Sequence, residues 1–496
     1  MVESFEVSNG NVFGDLLSKK EKKKQYKVGL YTGGYFEYWR MYPKTLENFV
    51  RSDMEVVYKN LKRFLSSNVE VIWPGIISTI DEAEKAGKLF EEEKIDMVIY
   101  IAATYNPDYM SIQTLHHVKD IPLVVFVRQQ HKDINFDSNY EQTLRNSGLI
   151  STAQLTGAFK KMGWYDNFEV VIGADYDEEP YKRIKKYFNA VCTYYSLKGL
   201  NIGVIGHVFR GMYDFEYDKT KVRGSLGPSI IDIQVDHFLN VWKKVTDKET
   251  DDFMKEVKGK YKYYAFQNVT EDDLFRSCKF TIALRKIIER YRLDALCFLG
   301  QHYTEAKTGT TAYLASSILA SERKYMVTSE GDVIGLIMMC IMNKLTGTTP
   351  LFGEWGEFGE KENAIMIMMH GFADPNLAKD SSRVRFTSSP ENWGYVGKGF
   401  SVEFTAKPGI VTVGHFINDK EIGWRMLISR GEALDVKRSI PCRETTLILK
   451  TETPVKEFIK KLLRTGFSHH AIICYGDLTE ELGYIADLMR IKKDYI

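Results

Sequence analysis

The chain has almost no net charge: 67 Lys and Arg stand against 66 Asp and Glu, leaving +1 at neutral pH. No field of one sign draws the whole molecule to nucleic acid or to a membrane, so partners must be argued from sites. Cysteine is sparse too. The six residues, Cys192, Cys278, Cys297, Cys340, Cys442 and Cys474, include no C-x-x-C pair, and several sit in apolar stretches such as "DALCFLG" and "AIICYG". They read as reduced, buried thiols. No uninterrupted apolar run approaches the roughly 18 to 20 residues needed to span a bilayer. An apolar signal core is also missing from the N-terminal stretch, so the expectation is a soluble, cytoplasmic protein with no membrane and no nucleic-acid partner. The basic run "KKEKKK" at 19–24 reads as a solvated lead-in to the first strand.

The usual nucleotide and hydrolase motifs are missing as well. "GVIGHVFRG" places Gly203, Gly206 and Gly211 off the G-x-G-x-x-G spacing, and "EAKTGTT" offers Lys307 without the glycine frame of a phosphate loop. There is no H-E-x-x-H and no G-x-S-x-G. Neither a nicotinamide cofactor nor ATP is supported.

What is present is a long alternation of strand and helix. A chain of 496 residues exceeds one core, and its length suggests about two to four domains. From "KVGLYTGG" onward, short β-branched runs such as "DMVIYIAATYN" and "PLVVFVRQQ" alternate with amphipathic stretches such as "TIDEAEKAGKLFEEEK". That alternation predicts a parallel sheet covered on both faces. Its ligand edge would carry "TGGYFEYW", "ATYNPDY" and "RQQHKD". A second α/β layer begins near residue 179. After about residue 380 the pattern turns to period-two alternation with Gly and Pro, as in "FSVEFTAKPGIVTVGHF", which indicates antiparallel strands. The fold class expected is therefore α/β: two open parallel-sheet layers of Rossmann or flavodoxin type, then a C-terminal antiparallel β-barrel-like domain with flanking helices. The boundaries expected are 1–178, 179–327 and 328–496, the last carrying the site. No internal repeat or low-complexity linker interrupts them.

Polar chemistry concentrates late in the chain. Glu330 and Asp332 stand at the mouth of the apolar run "VIGLIMMCIMNK", Glu354 lies in "TGTTPLFGEWGEFGEK", His370 ends "IMIMMHG", and His469-His470 precede "AIICYG". An ionised group beside such sequence costs several kcal/mol unless it is paired or bound to a cation. Two carboxylates and two imidazoles suit a divalent ion of intermediate hardness, Mn2+ better than zinc. Plainer readings compete. Ser329 with Asp332 fits the S-x-x-D capping pattern, Glu354 among its acidic neighbours reads alone as a loop carboxylate, His370 as a satisfied core histidine, and His469-His470 as exposed loop residues.

The series "SEGD", the later carboxylate Glu354, His370 and a C-terminal G-x-x-H-H together resemble the L-arabinose isomerases and, more distantly, the L-fucose isomerases. The resemblance covers nearly the whole chain. It implies a metal-dependent aldose-ketose isomerase acting on a free sugar through an enediol. Its metal ligands would be Glu330, Glu354, His370 and His470, around Mn2+ or another divalent ion, with Glu330 and Glu354 also the proton-transfer pair. Within "FRGMYDFEYD" it points to Met212 as a pocket residue and within "ISTAQLTG" to Gln154; Tyr35, Trp39 and Trp355 are stacking surfaces for a sugar or core residues. It further implies a homo-oligomer, commonly a hexamer. Departures fall where sugar contacts are expected: "TGGYFEYW" replaces the family's Gly-Ser-Gln, and Trp355 replaces an Asp. The competing functional readings are a non-catalytic sugar-binding or regulatory protein on the same scaffold and a metal-dependent hydrolase.

Overall fold

The computed structural model describes residues 25–66, 68–261, 265–298, 303–389, 399–436, 440 and 442–496. The basic run at 19–24 lies outside them. The chain divides into two compact units, Lys22–Cys192 and Thr193–Ile496.

The first unit is a six-stranded sheet of β1 (Tyr26–Gly33), β2 (Val69–Ile72), β3 (Ile76–Ile77), β4 (Met97–Ala102), β5 (Leu123–Gln129) and β6 (Glu169–Ala174). The order is β2-β1-β4-β5-β6, with β3 also on β1, and every pairing is parallel. β4, "MVIYIA", is buried at every position, as a central strand covered on both faces must be. The helix Leu46–Leu65 buries Leu46, Val50, Met54, Val57, Leu61 and Leu65, one stripe at three- and four-residue spacing. Thr79 and Glu82 close a capping box at the start of helix Ile80–Glu92, which fixes where that crossover begins. At the carboxyl edge, Tyr35 packs its ring edge-on to Phe36, Tyr38 and Tyr105. Arg128, almost wholly buried, pairs with Asp175 beneath that edge.

The second unit opens with β7 (Asn201–Ile205), β8 (Ser229–Ile233), β10 (Ala295–Phe298) and β11 (Met326–Ser329). These form an all-parallel sheet in the order β11-β10-β7-β8. A small sheet joins β9 (Ala265–Gln267), β14 (Arg385–Ser388) and β15 (Phe400–Glu403). The remaining strands are β12 (Leu351–Gly359), β13 (Ala364–Met369), β16 (Gly409–Asp419), β17 (Gly423–Ala433), β18 (Thr446–Thr451), β19 (His470–Tyr475) and β20 (Lys492–Tyr495). Their order is β16-β19-β12-β13-β18-β17-β20, and β16 pairs with β17 along its whole length, so the sheet closes on itself as a barrel with β20 attached outside the ring. The two parallel layers and the antiparallel barrel are those the patterning predicts. Among the described residues no helix is long and apolar enough to cross a membrane.

Helix Val333–Thr346 joins the parallel layer to the barrel. All residues from Val333 to Met342 are buried, because the helix lies against β10 and β11 on one side and β16 and β19 on the other. A side chain at Gly414 would come within 2.9 Å of Met338 and Met342, which explains the glycine in a strand that otherwise favours β-branched residues. Burying each such Ile, Leu or Met contributes roughly 1.5–3 kcal/mol.

Candidate metal centre

The turn from β11 into that helix, Ser329-Glu330-Gly331-Asp332, sets the first acidic groups. Glu330 and Gly331 both have positive φ, 61° and 85°. A Cβ at Gly331 would run into the backbone of Val208 and fall 2.7 Å from the His207 carbonyl oxygen, so only glycine fits. Glu330 takes the left-handed conformation despite its side chain, at a cost of about 1–2 kcal/mol. Its carbonyl accepts the Phe209 N–H at 2.7 Å. Strain of this kind gathers where a side chain must be aimed.

Asp332, not Ser329, caps the helix: its Oδ1 accepts the Gly335 N–H at 2.7 Å. The capping role expected of Asp332 is thus present, with Asp332 itself as the cap residue, since Ser329 is still the last residue of β11. Capping is only part of what Asp332 does. Its Oδ2 accepts from His470 Nδ1 at 2.9 Å and lies 3.1 Å from His415 Nε2. All three side chains are fully buried. Burial opposes ionisation of Asp332, but the two imidazoles outweigh it and hold the carboxyl well below the usual range.

The barrel supplies the other groups from its outer face. Glu354 on β12 stands opposite both Met368 on β13 and His470 on β19. Opposed residues share a face, and residues two apart along a strand do as well, so His370, two beyond Met368, joins them. Phe352 confirms the register by stacking on His370 at 5.4 Å between ring centroids. The alternate positions, Leu351, Ile365, Ile367, Met369, Leu447, Ala471 and Ile473, fill the apolar interior. Glu354 is therefore a strand residue rather than a loop carboxylate, and His470 is buried rather than exposed.

These elements bring Glu330, Glu354, His370 and His470 together, with one ligand atom from each within 4.8 Å of the others. His470 Nε2 lies 3.2 Å from Glu330 Oε2. His370 Nε2 lies 3.1 Å from Glu354 Oε1 and 3.7 Å from Glu330 Oε2. Because Asp332 accepts at Nδ1 of His470, the Nε2 of that ring carries its lone pair, by assignment from the hydrogen-bond network. Facing the Glu330 carboxylate, that nitrogen is satisfied either by a second ring proton or by a cation between the two. His370 Nε2 is also buried, and its approach to Glu354 is an ion-pair contact that falls short of hydrogen-bond geometry. The cluster fits a divalent cation, and the carboxylate behind His470 is the support such ligands usually have. Electrostatics agrees. Burial disfavours a charged His370, yet Glu354 and Glu330 push its pKa up to about 9, while Glu354 is held below its ordinary value against its own burial, chiefly by His370.

Phe215 stacks on His470 at 4.9 Å, and Phe352 packs on it at 4.5 Å. Asp214 Oδ2 accepts from the His469 backbone N–H, His469 Nδ1 and Ser468 Oγ at 3.1, 2.7 and 3.0 Å. It thereby pins the segment that carries His470. His469 itself is half-exposed, its Nε2 3.9 Å from Glu354. Met212 is half-buried and lies just before Asp214, its N–H donating to the Phe209 carbonyl. Trp355 donates its indole N–H to the Ser468 carbonyl at 3.2 Å and packs on Phe458, a structural placement. Tyr35 and Gln154 belong to the first unit, Tyr35 in the aromatic group at the sheet edge and Gln154 exposed on helix Gly148–Met162. Sequence reasoning passed over Asp214 and His415. Asp214 lies in "FRGMYDFEYD" among other acidic residues with nothing local to single it out, and His415 is one polar residue in an apolar strand, a pattern shared with ordinary core histidines.

No family model matches the chain. It is similar to proteins named sulfoquinovose isomerase: 22% identical over 423 residues to that of Priestia megaterium, covering 84% of this chain and 89% of the relative. The protein of Alkalicoccus urumqiensis is 26% identical over 311 residues, 62% of this chain and 68% of its own length. That of Clostridium sp. is 23% identical over 359 residues, 71% and 76% respectively. These relatives are isomerases by name. The chain's similarity to them runs through most of its length.

Proposed function

We propose that this protein is a metal-dependent aldose-ketose isomerase acting on a free aldose, with Glu330, Glu354, His370 and His470 as ligands of Mn2+ or a similar divalent ion. The observation that carries the reading is the convergence of two carboxylates and two imidazoles, largely buried, on one point. The similarity to isomerases over most of the chain supports the reaction type. The substrate is sulfoquinovose, as named for those relatives, or an L-arabinose-like sugar, as the motif resemblance implies.

Moving a carbonyl from C1 to C2 requires a proton to leave carbon and return to its neighbour, with an exchange between the two oxygens. Glu330 and Glu354 divide that labour, one taking the carbon-bound proton and the other serving the oxygens. Glu330, Glu354, His370 and His470 would hold the cation, which would supply Lewis acidity for the oxygen charge that proton removal creates. Asp332 holds His470 in one tautomer. Phe215 and Phe352 keep water from both imidazoles, and the left-handed turn at Glu330 fixes that carboxylate on a rigid helix start.

The test is a panel of aldoses, sulfoquinovose and L-arabinose included, incubated with the protein and Mn2+ while ketose formation is followed. Glu330→Gln and Glu354→Gln each lose on the order of 10²-fold or more in kcat, and His370→Ala loses bound metal. Normal turnover in both glutamine variants refutes the roles.

A further inference from the structure

The barrel face that carries the ligands continues one strand beyond them. β13 and β18 pair Met368 with Thr446, and the Met369 N–H donates to the Thr445 carbonyl at 2.9 Å. One more step of that register sets Glu444 opposite His370, two residues from Thr446 and so on the same face as Glu354 and His470. The carboxylate of Glu444 interacts electrostatically with both His370 and Glu354, yet it is not among the side chains that close on one point. It is half-buried, and among the described residues no hydrogen bond or ion pair engages its carboxylate.

A carboxylate placed beside another acid, partly withdrawn from water and without a partner, is unfavourable unless a donor arrives to complete it. We propose that Glu444 is a substrate-contacting residue of this site, receiving the hydroxyl groups of the aldose beyond the two oxygens that react. The inference rests on the isomerase reading above and adds to it the group that holds the rest of the sugar. A carboxylate suits that task because its two oxygens accept from neighbouring hydroxyls at once. Just before Glu444, Arg443 takes a positive φ of 61°, and the Cys442 thiol donates to the Glu444 carbonyl at 3.5 Å.

The test compares wild type, Glu444→Gln and Glu444→Ala with Mn2+, measuring kcat, KM, bound metal and Tm. The expected result is a KM raised roughly 10- to 100-fold in the alanine variant and less in the glutamine variant, with kcat within about threefold. Metal content and Tm match wild type. An unchanged KM in the alanine variant overturns the assignment. So does loss of metal, which would make Glu444 part of the ion's surroundings, or a fall in kcat at constant KM, which would make it a proton carrier. Should wild type turn over no aldose, the isomerase reading fails separately. Glu444 is then judged by calorimetric titration of the Mn2+-loaded protein with an acyclic pentitol: weaker binding by the alanine variant upholds it, and equal or absent binding overturns it.

Discussion

Replacing Asp332 by Asn isolates what the buried carboxylate does for the metal. Its Oδ1 accepts the Gly335 N–H, and its Oδ2 faces His470 Nδ1 at 2.9 Å and His415 Nε2 at 3.1 Å. The introduced amide keeps the oxygen for Gly335, and Asn caps helices about as well as Asp. It turns an NH2 group toward the two rings, where its two hydrogens meet one nitrogen each. Every hydrogen bond is then satisfied, but only if His470 carries its proton on Nε2, the nitrogen aimed at Glu330. Restoring the metal-competent tautomer would leave buried N–H groups facing one another, at a cost of about 1–3 kcal/mol. That is roughly a 5- to 150-fold loss in affinity, comparable with the usual effect of removing such a support. Asp332→Asn should therefore weaken Mn2+ binding by that factor in calorimetric titration, while the Tm of the metal-free protein stays close to wild type. Nitrogen chemical shifts of His470 would report the reversed tautomer. Wild-type Mn2+ affinity in this variant would refute the reasoning.

Other outcomes follow from the same geometry. Because His370 is raised to about 9 in the metal-free protein, a binding ion must displace its proton. Apparent Mn2+ affinity should rise by roughly tenfold per pH unit below that value and level off above it; a flat profile between pH 6 and 8 in titrations would contradict this. The sign for stability is opposite. The raised His370 stabilises the metal-free fold fully below its ordinary value of 6.5 and ceases to do so as pH rises through about 9, which thermal melts across that range would show. Gly331→Ala places a methyl against Val208 in a left-handed turn and should cost about 2–4 kcal/mol in denaturant unfolding. Gly414→Val forces Met338 and Met342 aside and should cost about 1–3 kcal/mol.

The architecture was legible because its signals are periodic. Covered parallel strands read as unbroken apolar runs, and "MVIYIA" is buried at every position as that pattern requires. The antiparallel region announced itself by alternation. Pairing partners are another matter. No local feature of "GIVTVGHFIND" says that it zips along all of "GWRMLISRGEA" and closes a ring, since strand order is decided by packing far along the chain. The ligand candidates could be singled out because each polar group interrupts an apolar segment. Asp332 was noticed as a cap, but its contacts with His415 and His470 span three distant segments that only the fold assembles. Glu354 looked like a loop acid because glycines flank it, whereas β13 and β19 on either side draw it into the sheet. Glu444 left no mark at all, because its place depends on register alone.

The ring of His470 and the carboxylate of Glu330 it faces are separated by 140 positions of chain, and His470 opens the last barrel strand to be made. A ribosome releases the other three donors well before this one. An ion held by all four donors would therefore be captured only after β19 has zipped into the ring, so that retention of the ion would report a barrel already shut.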